Sequence, residues 1–173
     1  MPVHHGRPRD REPRSVSELE FVVVDGGHPA AQAAMANYFA ELDERFPTGF
    51  DSGAATQALA EAATLMSPPL GSFVLAMRDG DVAGCGGVQS VDERTAEIKR
   101  MWVSPAHRGA GVGGRLLARL EEEVVAGGRA RVILDTNGVL LEAIAMYTSR
   151  GYTPIERYND NPYAQHWFAK DLF

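Results

Sequence analysis

The chain has 173 residues, the size of one ordinary domain, with 45% hydrophobic and 23% charged residues and a mean hydropathy of -0.21. That balance excludes a wholly disordered or collagen-like chain, and a chain this long buries about 70% of its unfolded surface without staples. A net charge of -6 and a pI near 5.3 argue against nucleic-acid binding, which leaves a basic footprint, and suit a cationic or amine-bearing small substrate.

Residues 1–17 hold three prolines and no apolar stretch, so a disordered tail is expected there, with a single domain over residues 18–173. The adjacent His4 and His5 are expected to bind no metal. Residues 19–24 form a β-branched run that ends at Asp25-Gly26-Gly27 and predicts a strand. Pro29 to Arg45 predicts a helix with proline in its first turn and an apolar stripe of Ala33, Met35, Tyr38, Phe39 and Leu42. A second helix is expected over residues 54–66, stopped by Pro68-Pro69. Strands over 72–78 and 82–90 are joined by the hairpin signal Asp79-Gly80, and a third runs from Thr95 to Val103.

A helix from Val112 to Ala126 presents Leu116, Leu117, Leu120 and Val124 on one face and ends at Gly127-Gly128. A strand over 131–135, a helix over 140–150 stopped by Gly151, a strand near Tyr152 and a last strand over 166–172 complete the chain. The order β-α-α-β-β-β-α-β-α-β-β describes a mixed α/β layer sandwich. No apolar run approaches the ~18 residues that a membrane span needs. The lone Cys85 excludes an internal disulfide and a structural zinc site. These features lead us to expect a cytoplasmic protein that meets neither membrane nor nucleic acid.

The most informative stretch is Met101-Trp-Val-Ser-Pro-Ala-His-Arg-Gly-Ala-Gly-Val-Gly-Gly-Arg. Glycines 109, 111, 113 and 114 stand where a strand hands over to a helix. Without Cβ atoms the backbone comes close to a ligand, and amides at the helix start, aided by the helix dipole, favour a pyrophosphate. A P-loop fails here because Arg115 and Leu116 stand where lysine and a hydroxyl are required. A dinucleotide fingerprint matches Gly109, Gly111 and Gly114, with Asp135 downstream. Its context fails: five residues separate the glycines from the strand, and that strand carries Glu97, Lys99 and Arg100.

Arg108-Gly-Ala-Gly-Val-Gly113 instead resembles the acyl-coenzyme A signature of the GNAT superfamily of N-acetyltransferases. The resemblance implies a largely antiparallel central sheet flanked by helices in a three-layer α/β/α sandwich, and acetyl-CoA as co-substrate without a metal. Carried over by position, Arg108, Gly109, Gly111, Val112, Gly113 and Gly114 form the pyrophosphate cradle, while Met101 and Val103 pair with the pantetheine arm. Arg115 and Arg119 either reach the cofactor's phosphates or stay solvated.

The implied reaction needs a neutral amine, and an alkyl ammonium at neutral pH stands about three units, roughly 4 kcal/mol, from that form. Glu97, eleven residues before Arg108, matches a catalytic glutamate of some family members and is expected to be the base. Tyr147, in a helix that runs into Gly151-Tyr152, matches the family's general acid for the leaving thiolate. Leu140 replaces an asparagine common in the family, and Asn137 either supplies that cofactor contact or makes a turn. Cys85 lies in a glycine-rich strand and is expected to be buried, which implies direct transfer in a ternary complex.

Tyr158, Asn159, Tyr163 and His166 crowd one C-terminal loop and strand start and are expected to contact the acceptor. His166 is a second candidate base or a structural histidine. The expected acceptor is a primary amine of a small molecule. A protein N-terminus or lysine, or a non-catalytic acyl-CoA sensor, is the alternative. The resemblance leaves a homodimer open.

Overall fold

A computed structural model of the chain describes residues 18–173, so the expected tail and its His4 and His5 lie outside the described residues. The first strand, β1 (Glu20–Val24), leads into α1 (Pro29–Arg45). His28 caps that helix, its Nδ1 accepting from the Ala30 amide at 3.0 Å. Ala31, Ala34, Met35, Phe39 and Leu42 make the buried face; Ala33 is exposed, and Tyr38 is half-buried at a cavity. The second helix, α2 (Ser52–Leu65), begins two residues before its expected start, because the Asp51 carboxylate accepts from the Ala54 amide at 2.8 Å and caps it.

Strands β2 (Gly71–Arg78), β3 (Asp81–Ser90) and β4 (Thr95–Val103) follow as antiparallel neighbours. After a short 3-10 turn, Pro105–His107, come α3 (Val112–Ala126), β5 (Arg131–Thr136), α4 (Leu141–Ser149), β6 (Thr153–Pro154) and β7 (His166–Asp171). The strand expected near Tyr152 shrinks to two residues, because Pro154 brings no donor to the ladder. The seven strands lie in the order β1-β2-β3-β4-β5-β7-β6, and only the β4–β5 pair is parallel.

Alternation along β2 explains the two cores. Phe73 and Leu75 join the cluster beneath α1 and α2, whereas Val74 and Ala76 join the cluster beneath α3 and α4. Helices thus cover both faces, as the expected three-layer sandwich requires. Leu116, Leu117 and Leu120 of α3 are fully buried, each worth about 1.5–3 kcal/mol relative to exposure. No described helix is long and apolar enough to cross a membrane.

Two irregularities position the site. The parallel pairing of β4 with β5 spans only Thr95↔Arg131, Ala96↔Val132 and Glu97↔Ile133, although both strands continue. A wedge therefore opens in the sheet beyond Glu97. The second is a bulge: Gly87 pairs with Lys99 and Cys85 with Trp102, so Arg100 and Met101 oppose Gly86 alone. Arg100 takes a left-handed conformation there (φ 58°), which costs a non-glycine residue about 1–3 kcal/mol. The bulge resets the alternation. Lys99 and Arg100 line one cavity together, while Met101 packs against the α3 core.

Candidate active site

The loop from β4 to α3 builds an anion cradle. Gly109 and Gly111 sit at φ 81° and 75°, a region glycine enters without steric cost. Gly111 caps α3, and among the described residues no side chain bonds to that helix start. Its first amides open onto a cavity of about 370 Å³. A Cβ at Gly109 or Gly111 would meet no protein atom within 4 Å. Gly113 and Gly114 serve packing instead, since a Cβ there would lie 3.2 Å from Met146 Sδ and 2.0 Å from Arg150 Nη2. The uncapped helix start and open approach fit a pyrophosphate. Met101, Val103, Arg108, Gly109, Gly111, Val112, Gly113 and Gly114, all expected on the cofactor, line this one cavity.

Charged pairs cross its mouth. Arg108 donates from Nε to the Val103 carbonyl at 3.1 Å and pairs with Glu41 of α1. Arg45 pairs with Glu142 of α4 and lies 3.6 Å from Glu41. Arg115 covers the Phe21 ring and Arg119 binds Glu123 at 2.9 Å, so neither arginine lines the cavity.

A second cavity, of about 290 Å³, lies on the α1–α2 side of the wedge. Tyr38, Leu42, Met101, Leu140, Ala143 and Tyr147 line both spaces, so the two meet there. Tyr147 is buried, with its hydroxyl 3.8 Å from Met101 Sδ. Burial, with Tyr38 and the Asp135 charge adding to it, holds the Tyr147 phenol well above its usual range. The Tyr38 phenol is pushed up to about 12 by burial, with Arg100 opposing. Two protonated phenols therefore stand at the junction.

The walls of the second cavity come from distant segments. Tyr163 stacks on Phe50 and Phe46 at 4.3 and 5.7 Å between centroids and accepts from the Asp51 amide at 3.0 Å, roofing the space. Asp135 of β5 accepts from Asn159 Nδ2 at 2.6 Å and from Asn161 Nδ2 at 3.3 Å. Asn159 in turn accepts from Trp167 Nε1 at 3.0 Å. Lys99, Arg100 and Glu61 supply the remaining charges of the wall.

Glu97 projects to the same face as Asp135, as the register Glu97↔Ile133 on parallel strands requires, but it lies behind the wall. Only 7% exposed, it accepts from the Tyr158 hydroxyl at 2.6 Å and faces Lys99 Nζ at 3.8 Å. Burial raises its carboxyl above the ordinary range, opposed by Lys99 and that hydrogen bond, with Asp135 adding to the rise. Tyr158 caps Glu97, while Asn159 and Tyr163 line the second cavity.

Besides Glu97 and Tyr158, which border neither cavity, Asn137 and His166 stand apart from their expected contacts. Asn137 lines the second cavity and not the glycine loop; its Nδ2 donates to the Tyr163 carbonyl at 2.7 Å and its Oδ1 accepts from the Val139 amide at 3.0 Å. His166 is exposed, borders neither cavity and stacks toward Phe168 at 6.3 Å, on the α3–α4 face. Cys85 is buried, and burial pushes its thiol up, away from nucleophilic use. Among the described residues, no cluster of three His, Cys, Asp or Glu side chains forms a metal site.

The acetyltransferase (GNAT) family model matches residues 35–152. A protein of Azospirillum brasilense named IAA acetyltransferase is 35% identical over 108 residues, which cover 60% of this chain and 70% of that one. Among solved structures, a GNAT-family acetyltransferase of Staphylococcus aureus Mu50 superposes with a TM-score of 0.78 at 14% identity, covering 90% of this chain and 100% of that one. A GNAT-family acetyltransferase of Elizabethkingia anophelis with acetyl-CoA bound gives 0.63 at 16% identity, covering 89% and 98%.

Proposed function

The chain belongs to the GNAT family of acetyltransferases and is an acetyl-CoA-dependent N-acyltransferase; from that premise we propose that it acetylates a primary amine of a small molecule directly, in a ternary complex. The observation that carries this reading is the meeting of two cavities at Met101, Tyr38 and Tyr147. One is walled by the cradle and the other by charged side chains under an aromatic roof. An acceptor space of about 290 Å³ closed over by Tyr163 suits a small molecule better than a peptide. The name of the Azospirillum brasilense relative supports a small acceptor. The buried Cys85 supports transfer without an acyl-enzyme.

When bound, acetyl-CoA supplies an activated thioester carbonyl. Arg108 and the backbone from Gly109 to Gly114 hold its pyrophosphate, and Met101 and Val103 line the path of its arm. Asp135, fixed by Asn159 and Asn161, accepts a hydrogen bond from the incoming amine and orients it. The nitrogen lone pair then forms the amide bond as the carbon–sulfur bond breaks. Glu97 receives the amine's proton through water, since neither it nor Tyr158, whose hydroxyl donates to it, borders the cavity. Burial makes this carboxylate more basic than an exposed one. Tyr147 holds a proton on its phenol oxygen at the junction and gives it to the departing sulfur.

Steady-state CoA release with a panel of small amines set against peptides tests the reading. Saturable turnover of small amines is expected. Faster turnover of peptides, or acetyl-CoA binding with no turnover of either, overturns it.

A further inference from the structure

Arg100 stands out among the arginines that line the two cavities. Arg45 and Arg108 are each paired with a glutamate. The Arg100 guanidinium, by contrast, forms no hydrogen bond or ion pair with any described residue, and its Nε is buried without an acceptor. Its one ring contact is Phe39, 5.2 Å from the guanidinium carbon to the centroid. The bulge that places it is strained. Of the two described non-glycine residues at positive φ, Asp79 lies in a hairpin turn, whereas Arg100 lies within β4. Strain and an unmet donor at one cavity wall together mark a position kept for a ligand.

Lys99, the residue before it, reaches the same cavity by ordinary alternation from Glu97, and the bulge adds Arg100 to that face. Lys99 already faces Glu97 at 3.8 Å, which leaves Arg100 as the cation of this wall without an ion pair. A carboxylate matches that charge, and the planar guanidinium fork matches its geometry. A phosphate dianion exceeds it. Asp135 provides the anionic counterpart for an ammonium in the same cavity.

We propose that the acceptor is a carboxylate-bearing amine, a small amino acid, whose carboxylate is bound by Arg100 with Lys99 beside it. The proposal rests on the transfer reading above and narrows its substrate. Phe46, Phe50 and Tyr163 leave room for an apolar portion of that molecule.

Amino acids and their matched carboxamides, which differ only in the anion, provide the probe. Calorimetric titration into the protein saturated with CoA measures binding without chemistry, and CoA release from acetyl-CoA measures transfer. The acids are expected to surpass their amides about 10- to 100-fold in both, the range for one charged hydrogen bond. Arg100→Asn, chosen because asparagine tolerates the left-handed region, should bring that ratio to within about threefold of unity, and Arg100→Lys should restore part of it. Lys99→Gln gives a second, smaller reduction should Arg100→Asn fail to fold. Amides that bind and react as well as acids, or a preference that survives in folded Arg100→Asn, overturn the proposal while transfer to amines stands. Carboxylate-dependent binding with no transfer supports it and overturns the transfer reading instead.

Discussion

Replacement of Gly111 separates backbone strain from ligand obstruction, because Gly128 provides an internal control. Both glycines are left-handed, at φ 75° and 82°, and at both a Cβ would meet no protein atom within 4 Å. An alanine at either position therefore carries the same penalty, roughly 1–2 kcal/mol. For a chain of this size that lowers Tm by about 2–4 °C per kcal/mol. The two positions differ in what lies in front of them. Gly111 borders the cradle cavity, whereas Gly128 follows the far end of α3. Gly111→Ala should in addition displace a phosphate oxygen from one charged hydrogen bond, a loss of about 1.5–3 kcal/mol or roughly tenfold to a hundredfold in acetyl-CoA affinity. Thermal melts and calorimetric titration of both variants supply the comparison. Equal Tm losses with unchanged acetyl-CoA affinity in Gly111→Ala would refute the cradle.

Tyr147→Phe should lower kcat by about 100-fold, in the range for one general acid, and leave the KM for acetyl-CoA near its original value. Because burial holds that phenol above its ordinary value, the wild-type rate should show no alkaline loss from it up to about pH 10, a point a pH–rate profile checks. Glu97→Gln should act in opposite directions on rate and stability. A carboxyl raised in the folded state favours folding only while protonated, and that contribution disappears as pH rises through the folded value. The variant should thus melt higher than wild type at pH 8, match it at pH 3, and turn over slowly at both. Glu41→Gln should release Arg108 for the pyrophosphate, lowering the KM for acetyl-CoA severalfold and steepening its salt dependence.

Local signals carried much of the fold and one half of the site. The order of elements, the apolar face of α3 and the glycine cradle follow from period and turn chemistry, which act over a few residues. The acceptor cavity does not. Tyr38 reads as part of the α1 stripe until the wedge in the sheet shows that it faces open space. Asp135 becomes a site residue only when Asn159 and Asn161, far along the chain, fold back onto it. Nothing in Ile98-Lys99-Arg100-Met101 announces a bulge, so the shared face of Lys99 and Arg100 had no local signal. His166 shows the opposite failure. Tyr163 and Ala164, just before it in sequence, do border the cavity, but alternation along β7 sets His166 on the Phe168 face, across the sheet from the acceptor.

The wedge between β4 and β5 also has a mechanical meaning. Four strands on one side and three on the other are riveted by only three residue pairs. A pantetheine chain lying in that gap would splint two half-sheets into one plate. Amide hydrogens of β7, separated from that gap by β5, should then exchange more slowly once acetyl-CoA is bound. Catalytic occupancy and the stiffness of the whole sheet would rise together.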